Sequence, residues 1–279
     1  MRITYVGHAT LLIEIAGVRV LTDPNFDPAL AGFLPRVHPP GVEIERLPQL
    51  DALLLTHAHA DHLSFDSLNR LPRDVPLYAP PAVERWLRKL GYTQAVPLAP
   101  DEAVEVKGVT VHAAAAKHLG NRYGVDRWRS AANMYLLDAQ GVTCFFAGDT
   151  ALTPDSHRIV EKQVTGRGAQ LDVALLPIGH APWWKPRYRT GHMTSDDALT
   201  LCERLGARYM IPYHWGVFRH LTSGPFDAVT RLRARLTGHA LEPVVKIIEP
   251  GAAFELPIER VGSGEQPSAS GERSAARDE

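Results

Sequence analysis

Two cysteines in 279 residues are too few for a disulfide framework. Cys144 lies in an apolar strand-like run and Cys202 in a helical one, which predicts buried, reduced thiols whose spacing suits no metal. An excess of charge is also missing, because 30 basic residues stand against 31 acidic ones. No whole-chain field therefore recruits nucleic acid or an anionic membrane, and no nucleic-acid partner is expected. No apolar run approaches the roughly 20 residues that span a bilayer. The opening Met1-Arg2-Ile3-Thr4-Tyr5-Val6 lacks the pattern of a secretory signal. Together these absences predict a cytoplasmic protein without a transmembrane segment.

What is present is an ordinary globular composition, 45% hydrophobic and 22% charged. β-rich runs at 2–6, 10–15 and 18–22 predict a meander, with Ala16-Gly17 as a turn. Residues 25–47 are proline-rich and aperiodic, so they predict a long loop near the mouth of a site. Further strands are predicted at 52–55, 110–114, 133–137, 142–146, 173–176 and 209–211. Val83, Trp86, Leu87 and Leu90 recur at helical spacing before Gly91. Thr194-Ser195-Asp196-Asp197 reads as a helix N-cap with first-turn acids, and that helix stops at Gly206. A helix over 226–236 presents Arg231, Arg233 and Arg235 as a solvated face. Runs at 244–248 and 252–256 predict a hairpin across Pro250-Gly251. No linker composition appears before 262–279, which reads as a disordered tail after one domain spanning 1–261. Interleaved strands and helices suit an α/β arrangement of two packed sheets with helices outside.

The chemistry concentrates in Leu53-Leu54-Leu55-Thr56-His57-Ala58-His59-Ala60-Asp61-His62, an apolar strand running into three histidines and an aspartate. Alternate residues of an extended chain point the same way, so His57 and His59 can converge on one ion. Past the strand the chain turns, leaving Asp61 and His62 free to face a second ion. Imidazole suits zinc, iron and related metals, and carboxylate complements it. A pair of metals needs more ligands, and three candidates follow strand-like runs: His118, Asp149 and His214. Small residues before His118 let the backbone run close to the site, whereas its rival His112 belongs to strand pairing. Asp149 follows Gly148 at the end of an apolar strand, where a carboxylate can bridge two ions.

His57-Ala58-His59-Ala60-Asp61-His62, His118, Gly148-Asp149-Thr150 and His214 together resemble the signature of the metallo-β-lactamase superfamily in its dinuclear form. Val6-Gly7-His8-Ala9-Thr10, Leu21-Thr22-Asp23-Pro24, Leu176-Pro177-Ile178-Gly179 and His214-Trp215-Gly216-Val217-Phe218 resemble the branch containing N-acyl-phosphatidylethanolamine phospholipase D and its bacterial relatives. The resemblance implies a four-layer αβ/βα sandwich with two mixed β-sheets flanked by helices. It also implies His57, His59 and His118 on one metal, Asp61, His62 and His214 on the other, and Asp149 between them. His192 in Thr190-Gly191-His192-Met193-Thr194 matches a histidine of that branch, expected to contact the substrate phosphoryl oxygen or act as general acid; the alternative is a loop residue before a helix. The insertion typical of RNA-cleaving relatives is missing, which weakens a nuclease reading. Flavin-bearing di-iron relatives usually exchange a histidine for a carboxylate, and no such exchange occurs here.

Two divalent ions, Zn2+ in the first instance with Mn2+ or Fe2+ as alternatives, lower the pKa of a shared water. The expected activity is therefore metal-dependent hydrolysis, foremost of a phosphodiester in a phospholipid-like substrate. Lactone hydrolysis is the second expectation, and a redox or structural metal protein is the third. Trp183, Lys185 and Arg187 interleave aromatics and cations before His192, suited to a phosphate with an apolar tail, to a membrane, or to an ordinary amphipathic loop. Arg127, Trp128 and Arg129 form a second group of that kind. His8 is expected beside the metals, supporting a ligand, and His220 at the mouth. The partner is a small-molecule or lipid-like substrate, and the composition is compatible with a homo-oligomer.

Overall fold

A computed structural model describes residues 1–30, 32–122, 131–181, 187–219 and 224–256. The expected tail at 262–279 lies outside them, as do Arg127, Trp128, Arg129, Trp183, Lys185 and His220. Two large sheets dominate. In the first, the meander Arg2–Gly7, Thr10–Ile15, Val18–Thr22 is antiparallel, and Ala52–Leu54, Leu77–Ala79 and Ala95–Pro97 continue it in parallel. The second repeats that plan. Ala103–Val106, Val109–Ala115, Asn133–Ala139 and Val142–Phe146 are antiparallel, and Val173–Pro177 and Tyr209–Tyr213 follow in parallel.

Side-chain alternation explains why the first sheet is buried on both faces. Leu11, Ile13 and Ile15 join the core between the sheets, while Leu12 faces the other way. Likewise Ala52 and Leu54 point inward, and Leu53 and Leu55 pack on the outer layer with Leu68, Val83 and Leu87. Those last residues belong to the helices Phe65–Arg70 and Pro81–Lys89. On the far side, Ser195–Leu205 and Asp227–Leu236 carry Leu201, Cys202 and Leu232 into the core, completing the four layers. The Thr194 cap is a reciprocal capping box with Asp197, and the helix ends in left-handed Gly206. Both cysteines are buried and unpaired. Among the described residues, no helix is long and apolar enough to cross a membrane.

One expectation needs correction. The 244–248 and 252–256 runs do not form a hairpin. Val245 instead bridges Met210 in the second sheet, whereas Ala253–Glu255 pairs with Arg2–Gly7 in the first. Each run satisfies its backbone on a different open sheet edge, which local pattern cannot reveal. The three arginines of Asp227–Leu236 are exposed as expected, and on that surface Arg231 and Arg235 pair with Asp196 and Arg233 with Glu249.

The sheets are pinned together at one end. The Asn133 amide donates to the Thr56 carbonyl at 3.0 Å, and the Tyr135 hydroxyl donates to the Leu55 carbonyl at 2.8 Å. Gly148 sits in this seam at φ +56°, and a Cβ there would lie 2.7 Å from Thr56 Cγ2 and 2.9 Å from the Asn133 carbonyl oxygen. Gly148→Ala therefore combines backbone strain with a clash against a seam that cannot move away. We expect it to lower the unfolding free energy by about 2–3 kcal/mol, read as a lower urea midpoint; an unchanged midpoint would refute this account of the seam.

Candidate metal centre

The candidate residues follow the carboxyl ends of strands, where open α/β sheets place their ligands. Thr56 and His57 follow Ala52–Leu54, Asp149 follows Val142–Phe146, and His214 follows Tyr209–Tyr213. His118 comes after Val109–Ala115. All of these converge with Asp61 and His62. His57, His59, His118 and Asp149 form one group whose donor atoms lie within 4.8 Å of one another, and His8, Asp61, His62 and His214 form a second. The groups adjoin, because Asp149 Oδ2 lies 3.4 Å from both His62 Nε2 and His214 Nε2. His112 stays in its strand, opposite Leu136 and Ala103.

Sequence reading missed what orients the rings. The carboxylate of Asp23, wholly buried, accepts from the Thr56 amide, the Thr56 hydroxyl and His62 Nδ1, each at 2.7 Å. The Thr56 oxygen, having donated its proton to Asp23, accepts from His57 Nδ1 at 2.9 Å. One carboxylate thereby fixes two tautomers and turns two Nε2 lone pairs toward the site. His118 Nδ1 donates to the Gly191 carbonyl at 2.7 Å, leaving its Nε2 3.0 Å from His59 Nδ1. His8 Nε2 donates to Asp61 Oδ2 at 3.0 Å. Asp23 was visible only as part of a Thr-Asp-Pro run; its partners are distant in the chain.

The arrangement leaves buried polar atoms without partners: His57 Nε2, His62 Nε2, His214 Nε2 and both oxygens of Asp149. Desolvated lone pairs aimed at one another are costly unless a cation or protons lie between them. Nitrogen and carboxylate donors in this number suit a divalent metal. His192 Nε2 lies 3.5 Å from Asp149 Oδ2, and its ring stacks on Tyr188 with centroids 4.8 Å apart. Gly179 makes room for that pair, since a Cβ there would lie 1.8 Å from the Tyr188 hydroxyl. Arg187 is exposed. A cavity of about 210 Å³ opens beside the second group, with His8, Asp61, His192 and His214 on its polar side.

Burial pushes His57, His59 and His192 below the ordinary imidazole value of 6.5, and it takes His8 and His118 down to about 3. Burial opposes the charge on His62 and His214 too, but there Asp149, aided by Asp61, outweighs it. His62 rises well above 6.5 and His214 to about 9. Burial likewise works against ionised Asp61 and Asp149, yet the His62 and His214 imidazoles hold both well below the usual carboxylate range.

The lowered histidines give stability that is complete above 6.5 and lost as the pH falls below it. The raised pair gives stability that is complete below 6.5 and lost as the pH climbs toward 9. The metal-free chain should therefore melt highest near pH 6.5 and lower on either side, as followed by thermal unfolding. A melting temperature that rises steadily across pH 5 to 9 would contradict this. Asp23→Asn turns one of the two acceptor oxygens that hold Thr56 and His62 into an N–H donor and should weaken metal affinity about 10–100-fold, measured by chelator competition. Unchanged affinity would show that Asp23 does not act through the rings.

A family model described as a β-lactamase superfamily domain matches residues 18–215. A Mycobacterium tuberculosis protein of uncharacterized function is 31% identical over 252 residues, covering 84% of this chain and 63% of its own length. The N-acyl-phosphatidylethanolamine-hydrolyzing phospholipase D 1 of Caenorhabditis elegans is 26% identical over 234 residues, covering 77% of this chain and 64% of its own. The match thus spans less than two thirds of either relative. A metal-dependent hydrolase of Methanosphaerula palustris is 31% identical over 261 residues, covering 92% of this chain and 100% of its own. Among solved structures, an isothiocyanate hydrolase from Delia radicum gut bacteria superposes with a TM-score of 0.74 at 22% identity, covering 92% and 100% of the two chains. A diiron β-hydroxylase from Streptomyces venezuelae gives 0.66 at 20%, covering 91% of this chain and 54% of its own. At these identities the structures share the fold and no more. With the family model covering most of the chain and the Methanosphaerula palustris relative matched over its full length, the chain belongs to the metallo-β-lactamase superfamily.

Proposed function

We propose that the chain hydrolyses phosphodiesters at a two-metal centre, with a phospholipid-like diester as its substrate class. The observation that carries this is Asp149, a buried carboxylate without a hydrogen-bond partner, lying between two adjacent groups of donor atoms. In this reading His57, His59 and His118 hold one ion, and Asp61, His62 and His214 hold the other. Asp149 serves both. Zinc fits the donor set, with manganese or iron as alternatives. When bound, such ions supply Lewis acidity and lower the pKa of water. The phospholipase D relative in C. elegans supports a diester substrate.

The remaining steps fall to the chain's own side chains. Asp61, kept ionised and held by His8, orients the attacking water and accepts its proton. His192 faces the cavity beside Asp149, and burial favours its neutral form. Its ring N–H can donate to a phosphoryl oxygen or to the departing alkoxide. The water oxygen bonds to phosphorus as the ester P–O bond breaks, Asp61 returns the proton it took from water to the departing alkoxide, and the neutral His192 N–H steadies that oxygen by a hydrogen bond without giving up its own proton. Arg187, which is exposed, is a proposed substrate contact, and Trp183, Lys185 and His220, proposed with it, lie outside the described residues.

A lactone is the second reading, favoured by the absence of lysine and arginine among the described residues lining the cavity. The redox reading has only the shared fold of the diiron β-hydroxylase behind it. Zinc- or manganese-loaded protein should turn over bis-p-nitrophenyl phosphate, and His192→Ala should lower kcat about 10²–10⁴-fold with both metals retained. Activity confined to lactones would replace the diester reading with the second. Full turnover by His192→Ala would remove its proposed role.

A further inference from the structure

The cavity beside the second group has two unlike ends. Its polar end is the candidate centre itself. Its other wall is apolar, formed by Ile178, Trp215, Val217, Phe218, Pro225 and Ala228. The polar atoms of this wall are already engaged: Trp215 Nε1 donates to the Pro212 carbonyl at 3.0 Å, and the Trp215 carbonyl accepts from the Tyr5 hydroxyl at 2.9 Å. Phe218 is clamped between the His8 ring, 5.2 Å away, and the Arg36 guanidinium, 4.6 Å from its centroid. Arg36 does not line the cavity, and it donates to the Asp27 and Asn25 carbonyls at 2.7 and 2.8 Å. Phe218 thus presents its ring to the cavity as part of a fixed wall.

Charge decides what this wall can take. Asp61 is the only lining carboxylate among the described residues, and no lysine or arginine accompanies it. A phosphomonoester or a carboxylate entering the apolar end would meet no lysine or arginine, and a quaternary ammonium would meet a Phe218 ring already covered by the Arg36 guanidinium, so each would leave water at a cost. An uncharged apolar group gains by entering. Size narrows the choice further. The cavity measures about 210 Å³, whereas a cavity of about 150 Å³ in another protein suffices for benzene. An aryl or short branched alkyl group fits; a diacylglyceryl group does not.

We propose that this cavity is the subsite for a small, uncharged, apolar ester substituent next to the scissile bond, with the rest of the substrate leaving through the mouth. The inference rests on the diester reading above and narrows it, by assigning the ester group on the Trp215–Phe218 side. Trp215, Val217, Phe218 and Ala228 then set specificity, and the two histidine groups set the chemistry.

Two measurements test it. The first compares phenyl, methyl and choline esters of p-nitrophenyl phosphate on the metal-loaded enzyme. Wild type should favour the phenyl ester at least about tenfold in kcat/KM over both others, as a hydrophobic pocket allows. Ala228→Leu, which fills the pocket from a helix position, should cut that preference about tenfold. Val217→Ala, which enlarges it, should shift preference toward a naphthyl ester and serves if Ala228→Leu fails to fold. The second measurement is 19F line broadening of fluorobenzene, which needs no turnover. Wild type should broaden the signal and Ala228→Leu should not. Fluorobenzene binding without diester turnover would sink the diester reading and keep the subsite. Turnover with no phenyl preference, a preference that neither variant moves, or no fluorobenzene binding would overturn the subsite.

Discussion

Everything in this molecule answers to one electrostatic constraint: imidazole and carboxylate donors are gathered out of water at one end of the sandwich, with lone pairs facing one another. The free Nε2 atoms of His57, His62 and His214 and both oxygens of Asp149 are buried without partners. Without a cation, only partial protonation offsets that arrangement, and the histidines divide accordingly into lowered and raised groups. A divalent cation satisfies several lone pairs at once, so metal binding and folding stability are coupled.

The scaffold holds the donors by tying its two sheets at the same end. Backbone and side-chain bonds from Asn133 and Tyr135 reach the Leu55–Thr56 segment, which runs directly into His57. Gly148 passes through this seam at positive φ, placing Asp149 against His62 and His214. Asp23 then sets the rotation of two rings, His62 directly and His57 through Thr56. The chemistry depends on this rigidity, because a ligand ring turned about its own axis offers N–H in place of a lone pair.

Legibility in the sequence followed distance along the chain. The clustering of donor side chains from His57 to His62 is readable because covalent proximity alone brings them together. His118, Asp149 and His214 were readable because each ends an apolar run, and the structure brings all three to the same place. Asp23 was not assigned a role, since it works through Thr56 and His62, 33 and 39 residues away. The closing strands were misjudged for a related reason: adjacent apolar runs resemble a hairpin, and only the open sheet edges decide where each one pairs. The apolar cavity wall was also invisible, because Ile178, Phe218 and Ala228 meet there from separate elements. Fold class was the easier inference, since strand alternation and the Thr194 cap are local properties.

Under the proposed function both donor groups carry metal at once, with Asp149 between them. Anomalous diffraction at a metal absorption edge, from crystals grown with excess zinc, tests this most directly. The account predicts two peaks about 3.5–4 Å apart, one enclosed by His57, His59 and His118, the other by Asp61, His62 and His214. A single peak, or two peaks with Asp149 touching neither, would contradict it.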